Sequence, residues 1–71
     1  MILQNLKNIR EDNDIRQKTI AEYLGVSQNT YSQYENGVIS ISPEMLIKLG
    51  DYFDVSVDYL LGRTNNKKRY K

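Results

Sequence analysis

Apolar residues recur every three or four positions along most of the chain, the spacing that puts side chains on one face of a helix. No stretch of useful length alternates apolar and polar residues as a strand would. The pattern therefore predicts an all-α protein, a compact bundle of five helices. Their predicted spans are about 2–11, 17–24, 28–36, 43–53 and 57–61.

The predicted helix ends carry residues suited to them. Gly25 ends the second helix, because a left-handed cap costs glycine little. Ser27, Ser42 and Ser56 are good N-caps for the last three helices. Gly50 lies inside the fourth helix at a cost of about 1 kcal/mol relative to alanine, so we expect another backbone segment close against it. In the first helix we expect an inner stripe beginning at Ile2.

The third predicted helix has an unusual outer face. At about 100° per residue, Tyr31, Tyr34 and Glu35 turn toward the body. The outward residues are amides and hydroxyls: Gln28, Asn29, Ser32, Gln33 and Asn36, with Thr30 at the border. Asn and Gln can pair with adenine through two hydrogen bonds, so this face suits the reading of DNA bases. A solvated surface is the alternative for any one glutamine, but a solvated helix would normally carry Lys and Glu.

The predicted start of the second helix suits a phosphate. Gln17 stands at a helix N-terminus, where free amide donors and the positive end of the helix dipole favour an anion. Arg16 and Lys18 flank the same position with positive charge.

Charge is distributed unevenly along the chain. Residues 1–62 hold five basic and nine acidic residues, a net charge of −4, whereas residues 63–71 hold five basic residues and no acid. We therefore divide the chain into a domain, 1–62, and a basic, mobile tail, 63–71. The acidic body is the main observation against DNA, because nucleic-acid binders usually show a basic footprint. The tail either attracts phosphate or is a solvated end, which is the commoner case.

Composition excludes several functions. The chain lacks cysteine and histidine, so it offers no thiolate or imidazole for catalysis or metal binding. It also lacks a phosphate-cradling glycine loop, and it has no paired carboxylates that helical spacing would bring together in a cleft. We expect no enzyme activity, cofactor, metal site or small-molecule ligand. No apolar run approaches a membrane span and no secretory signal is seen, so a cytoplasmic protein is expected.

Four blocks of sequence form a recognisable pattern. They are Leu6 with Ile9-Arg10; Gln17 with Ile20-Ala21 and Leu24-Gly25-Val26-Ser27; Tyr34-Glu35-Asn36-Gly37; and Val55-Ser56-Val57-Asp58 with Leu60-Leu61. Together they resemble the Cro and λ-repressor-like helix-turn-helix proteins, also called the xenobiotic-response-element (XRE) family. The resemblance covers residues 2–62 and implies a helix-turn-helix at helices 2 and 3.

The resemblance assigns roles to individual residues. It implies that Gln28, Asn29 and Gln33 read bases in the major groove, with Thr30 and Ser32 close to the DNA. It also implies phosphate contacts by Gln17 and Asn36. Arg10 and Glu35 match the family's buried ion pair, and their helical positions place both on inner flanks. Two solvated charges are the alternative for that pair.

The sequence departs from the family pattern at three places, which affect the helix 2 cap, the packing of residue 31 and the loop before helix 4. Arg16 replaces the usual Ser or Thr cap of helix 2, and Tyr31 replaces a branched aliphatic residue, so its ring must find room or its hydroxyl must reach the surface. Ile41 and Pro43 alter the loop before helix 4.

Family members usually bind DNA as two-fold dimers, because one helix reads too few bases for specificity. Our candidates for the interface between two copies are Ile41, Ile47, Val57 and Tyr59, and a place in the core is the alternative for Ile47 and Val57. Two functions follow. The first is a sequence-specific transcriptional regulator, most simply a repressor binding a palindromic operator in double-stranded DNA. The second is a protein-interaction module, such as the antitoxin of a toxin–antitoxin pair.

Overall fold

The computed structural model describes residues 2–69, and within them the chain forms five α-helices and no strand. The helices are α1 (Gln4–Asp12), α2 (Gln17–Leu24), α3 (Gln28–Glu35), α4 (Pro43–Phe53) and α5 (Val57–Leu60). The all-α, five-helix prediction is confirmed. No helix in the described part of the chain is long and apolar enough to cross a bilayer.

Serine side chains start three of the helices, as the sequence predicts. Ser27, Ser42 and Ser56 each accept a hydrogen bond from the backbone N–H three residues on, at 3.1, 3.3 and 3.0 Å. Gly25 ends α2 with φ +75°, and its N–H bonds back to the last turn of the helix. These local signals fix the boundaries of α2 and α3, and hence the turn between them.

The core draws one or more apolar side chains from every helix. Leu6, Ile20, Tyr31, Leu49 and Leu60 are all fully buried. Helix α1 packs against α3 and α5, α2 packs against α3, and α4 packs against α5. Apolar burial on this scale is the main force that holds so short a chain folded.

The inner stripe of α1 begins one residue later than predicted. Ile2 is 59% exposed, whereas Leu3 is buried. The backbone N–H of Leu3 donates to the carbonyl of Glu35 at 2.9 Å. This bond fixes the entry of the chain into α1 and turns Leu3, rather than Ile2, toward the core.

A close approach of two backbone segments explains why a glycine occupies position 50 inside α4, as expected from the sequence. A Cβ at this position would lie 3.0 Å from the carbonyl oxygen of Val55. The approach arises because Asp54, the residue that follows α4, has a left-handed conformation with φ +55°, which folds the chain back. The N–H of Val55 then donates to the carbonyl of Gly50 at 3.0 Å.

The described part of the tail, residues 63–69, makes contacts with α4 and α5. The backbone N–H of Ser56 donates to the carbonyl of Lys67 at 3.0 Å, and the Lys67 ammonium lies 5.6 Å from the centre of the Tyr59 ring. Arg69 pairs with Asp51 and with Asp54 at the end of α4. Positive tail residues therefore face the negative end of α4. The last two residues of the predicted tail, 70 and 71, lie outside the described part.

Candidate nucleic-acid interface

Helices α2 and α3 form a tightly joined pair. Three residues, Gly25, Val26 and Ser27, separate them, and the two helices pack against each other. Val26 is partly buried against the core, which anchors the turn from beneath. The turn residues therefore determine the angle at which α3 leaves the body.

The outward side of α3 is the one predicted. We call Gln28, Asn29, Ser32, Gln33 and Asn36 the amide face. Gln28, Asn29 and Asn36 are exposed, while Ser32 and Gln33 are half-buried. On the opposite side of the helix Tyr31 and Glu35 are buried. The amide face carries no charged residue and stays accessible to a partner.

Two polar contacts organise the edges of the amide face. The Ser27 hydroxyl donates to the Thr30 hydroxyl at 2.9 Å, so Thr30 is tied to the helix start. The Asn36 amide donates to the Ser32 hydroxyl at 3.4 Å. These short side chains are held in place, whereas the exposed amides of Gln28 and Asn29 project from the first turn of the helix.

The first residues of α2 lie at the edge of the core, partly exposed to solvent. Arg16 occupies the N-cap position and provides no side-chain cap, as its departure from the family pattern predicts. Arg16 and Lys18 are exposed, whereas Gln17 is half-buried. The Gln17 side-chain amide donates to Glu35 Oε1 at 3.2 Å. Gln17 therefore links the candidate phosphate position to the interior.

A buried polar group connects three helices beneath the amide face. We call Arg10, Gln17, Tyr31 and Glu35 the Glu35 cluster. Arg10 Nε lies 2.6 Å from Glu35 Oε2, and Arg10 Nη2 donates to Oε1 at 3.3 Å. The Tyr31 hydroxyl donates to Oε2 at 2.6 Å. Glu35 is 1% exposed and Arg10 is 8% exposed, so the structure places the expected ion pair inside the protein.

Further hydrogen bonds complete the Glu35 cluster. Arg10 Nη1 donates to the carbonyl of Ile15 at 2.7 Å, which fastens the loop before α2. Within residues 2–69, every buried side-chain nitrogen and oxygen has a hydrogen-bond partner. A fully satisfied polar network inside a core fixes the arrangement of the elements it joins.

The environment of the Glu35 cluster keeps its charges in place. Burial alone would raise the pKa of Glu35, but hydrogen bonds from Arg10, Tyr31 and Gln17 together hold that pKa below its ordinary value. The hydrogen bond to Glu35 raises the pKa of Arg10. Burial, together with the bond to Glu35, raises the pKa of Tyr31 far above its ordinary range, so its hydroxyl remains a donor.

The four residues expected at an interface between two copies lie in different surroundings. Ile47 is 56% exposed, and it lines a shallow groove of about 290 Å³ together with Val57. Ile41 is half-buried and packs against the core. Tyr59 is buried in the core of its own chain, so little of its side chain is available to another copy. Of the four, Ile47 is exposed, whereas Val57, like Ile41, is half-buried.

A family model described as helix-turn-helix matches residues 6–60, which include α2, the turn and α3. The chain belongs to the XRE-type helix-turn-helix family. The Glu35 cluster, the turn at Gly25 and the amide face all lie within the matched range.

Several curated relatives of this helix-turn-helix protein are similar over most of its length. An uncharacterised HTH-type transcriptional regulator, YqaE of Bacillus subtilis, is 34% identical over 71 residues, covering 100% of this chain and 61% of that protein. The antitoxin PezA of Streptococcus pneumoniae is 37% identical over 62 residues, covering 87% and 39%. A cryptic phage CTXphi transcriptional repressor, RstR of Vibrio cholerae, is 30% identical over 73 residues, covering 100% and 66%. The chain thus spans less than two thirds of each.

A solved structure has the same fold. The crystal structure of a transcriptional regulator from Listeria innocua superposes with a TM-score of 0.80 at 32% identity, covering 87% of this chain and 58% of that one. The helix-turn-helix arrangement is therefore shared with a transcriptional regulator.

Tyr31 is the site residue whose setting the sequence did not reveal. Its ring is fully buried, and its hydroxyl does not reach the surface. The hydroxyl instead donates to Glu35, four residues further along the helix. Residues four apart in a helix are neighbours, so the spacing of Tyr31 and Glu35 was the available signal. Arg10 and Glu35 form the expected pair, but nothing in the sequence indicates that Gln17 bonds to the same carboxylate.

Proposed function

We propose that this helix-turn-helix chain is a sequence-specific DNA-binding regulator of transcription that inserts α3 into the major groove. The observation that carries the proposal is the accessible, uncharged amide face on a helix that is anchored from behind. The major groove admits an α-helix and presents a distinct pattern of donors and acceptors for each base pair. Exposed amides at Gln28 and Asn29 suit that pattern, and Gln33 lies on the same face.

Phosphate contacts would orient α3 in the groove. Arg16 and Lys18 supply positive charge at the start of α2, and Gln17 supplies amide donors there. Asn36 lies at the far end of α3. Contacts at both ends would clamp the helix across the groove, which is how backbone contacts fix the register in which bases are read.

We also propose that two copies bind together to a palindromic operator. The exposed Ile47 and the neighbouring Val57 offer an apolar patch for a second copy. Two reading helices separated by one turn of DNA would require half-sites about 34–36 Å apart. Occupation of an operator would block polymerase, so repression is the simplest outcome, as named for the relative RstR. Such a regulator acts in the cytoplasm, at the nucleoid.

Selection of bound sequences from a random duplex pool, followed by affinity measurements across salt concentrations, tests this function. The logarithm of the affinity should fall linearly with the logarithm of the salt concentration. Gln28→Ala and Gln33→Ala should each weaken binding to the selected site by about 5- to 150-fold, the equivalent of roughly 1–3 kcal/mol, and should leave random DNA nearly unaffected.

Gln4→Ala provides the matched control, since Gln4 is an exposed glutamine on α1 whose side chain, within residues 2–69, bonds only to Asn8 on its own helix. It should bind both DNAs as the unchanged protein does. Equal losses on selected and random DNA in Gln33→Ala would show that α3 does not read bases.

The antitoxin relative favours a second candidate, a protein-interaction module. The net charge of −4 over residues 1–62 also suits a partner other than DNA. An affinity for duplex DNA that stays negligible and flat at all salt concentrations would favour this candidate over the first.

A further inference from the structure

We propose that Tyr31 is a positioning residue for the phosphate contact of Gln17, and that it acts through the carboxylate of Glu35. This inference rests on the proposed function. Tyr31 is fully buried, so it cannot touch DNA itself. Its hydroxyl bonds to the carboxylate that also holds the Gln17 side chain.

The two oxygens of Glu35 have different partners. Oε2 accepts the two short bonds, from Arg10 Nε and from the Tyr31 hydroxyl, both at 2.6 Å. Oε1 accepts the two longer bonds, from Gln17 at 3.2 Å and from Arg10 Nη2 at 3.3 Å. The short bonds dominate, so they set the orientation of the carboxylate. The position of Oε1, and with it the Gln17 amide, follows from that orientation.

The bond to Glu35 prepares Gln17 for a phosphate. A glutamine amide has two N–H donors, and the bond to Oε1 uses one of them. The second stays available while the side chain is held at the first residue of α2, where the helix dipole favours an anion. A side chain ordered before binding does not have to be ordered during binding, which improves affinity.

Removal of the Tyr31 hydroxyl tests the positioning role of Tyr31 separately from the packing of its ring. Tyr31→Phe keeps the buried ring and leaves Oε2 with Arg10 as its single short-range donor. Tyr34→Phe is the matched control, since Tyr34 lies on the same helix, is half-buried and is not part of the Glu35 cluster. Both variants should be compared with Gln17→Ala and with the Tyr31→Phe/Gln17→Ala double variant, under conditions where circular dichroism shows all of them folded.

Binding to random duplex DNA and to the selected site provides the main readout. We expect Tyr31→Phe to weaken both by the same factor, about 3- to 10-fold, because a phosphate contact carries no sequence information. In the Gln17→Ala background the same change should have no further effect. Equal affinity of Tyr31→Phe and the unchanged protein would overturn the proposal. So would a double variant whose loss of affinity equals the product of the losses in Tyr31→Phe and in Gln17→Ala.

The NMR signals of the Gln17 side-chain amide test the same link without DNA. In the unchanged protein the N–H proton bonded to Glu35 should be protected from exchange, and Tyr31→Phe should reduce that protection. Unchanged signals in Tyr31→Phe would overturn the positioning role. If the unchanged protein binds no DNA while the amide signals respond as expected, the proposed function fails and the link within the Glu35 cluster stands.

Discussion

Replacement of Arg10 by alanine tests the packing of the whole domain. It would leave the Glu35 carboxylate 1% exposed and without its positive partner. Breaking a buried ion pair by removing one member typically costs about 3–5 kcal/mol. Tyr31 and Gln17 still donate to the carboxylate in the variant, so we expect a loss near the lower end, about 3 kcal/mol.

That loss is large for a domain of this size. At roughly 0.05–0.15 kcal/mol per residue, 71 residues correspond to about 4–11 kcal/mol of total stability. Arg10→Ala should therefore lose between a quarter and three quarters of the free energy of unfolding. Urea denaturation at pH 7 measures it. Arg16→Ala removes an exposed arginine that caps nothing, so it should change stability by less than about 0.5 kcal/mol.

Unfolding measurements at acidic pH check independently that the buried Glu35 carboxylate causes the loss of stability in Arg10→Ala. The folded-state pKa of Glu35 lies below its ordinary value of 4.5, so the stability it contributes is present above that value. The contribution is lost as the pH falls from 4.5 through the folded-state pKa. The difference between the unchanged protein and Arg10→Ala should therefore shrink in acid. A loss below about 1 kcal/mol at pH 7, typical of exposed pairs, or a difference that stays constant down to about pH 3, would refute the reasoning.

Three further predictions address other parts of the molecule. Gly50→Ala gains about 1 kcal/mol of helix propensity but pushes against the Val55 carbonyl, and overpacking costs about 1–3 kcal/mol, so urea denaturation should show no stabilisation. The pKa of Tyr31 is raised in the folded state, so above pH 10.0 its hydroxyl ionises in the unfolded chain first, and the folded protein loses stability. Tyr31→Phe lacks this hydroxyl and should therefore lose less stability than the unchanged protein over the same pH range. Asp51→Asn/Asp54→Asn should release the tail and speed trypsin cleavage after Lys67 at low salt, and an equal rate in the two proteins would argue against docking through Arg69.

Local chemistry explains why some elements could be predicted and others could not. The boundaries of α2 match the prediction because Gly25 terminates a helix without help from the rest of the fold. The start of α1 was misjudged because Ile2 and Leu3 fit helical spacing equally well with Leu6. The bond between the Leu3 N–H and Glu35 decides between them, and it joins residues 32 positions apart.

Long-range partners also explain the tail and Tyr59. Composition alone predicts a solvated basic segment, but Arg69 pairs with Asp51 in α4 and with Asp54 directly after that helix. The family resemblance makes Tyr59 a candidate for a surface between two copies. In the structure its ring packs in the core beneath Lys67. Neither contact has a signal in the local sequence, since each depends on how the helices are arranged.

A neutral reading face on an acidic domain has a consequence for specificity under the proposed function. Non-specific affinity comes almost wholly from neutralised phosphates, and residues 1–62 carry a net charge of −4, with Arg16 and Lys18 exposed at the start of α2. Binding to random DNA should therefore be weak and only modestly dependent on salt. Base contacts from the amides would then make up a larger share of the total binding energy than in a strongly basic domain. Discrimination would depend on how rigidly α3 is held, which is the role of the buried Glu35 cluster behind it.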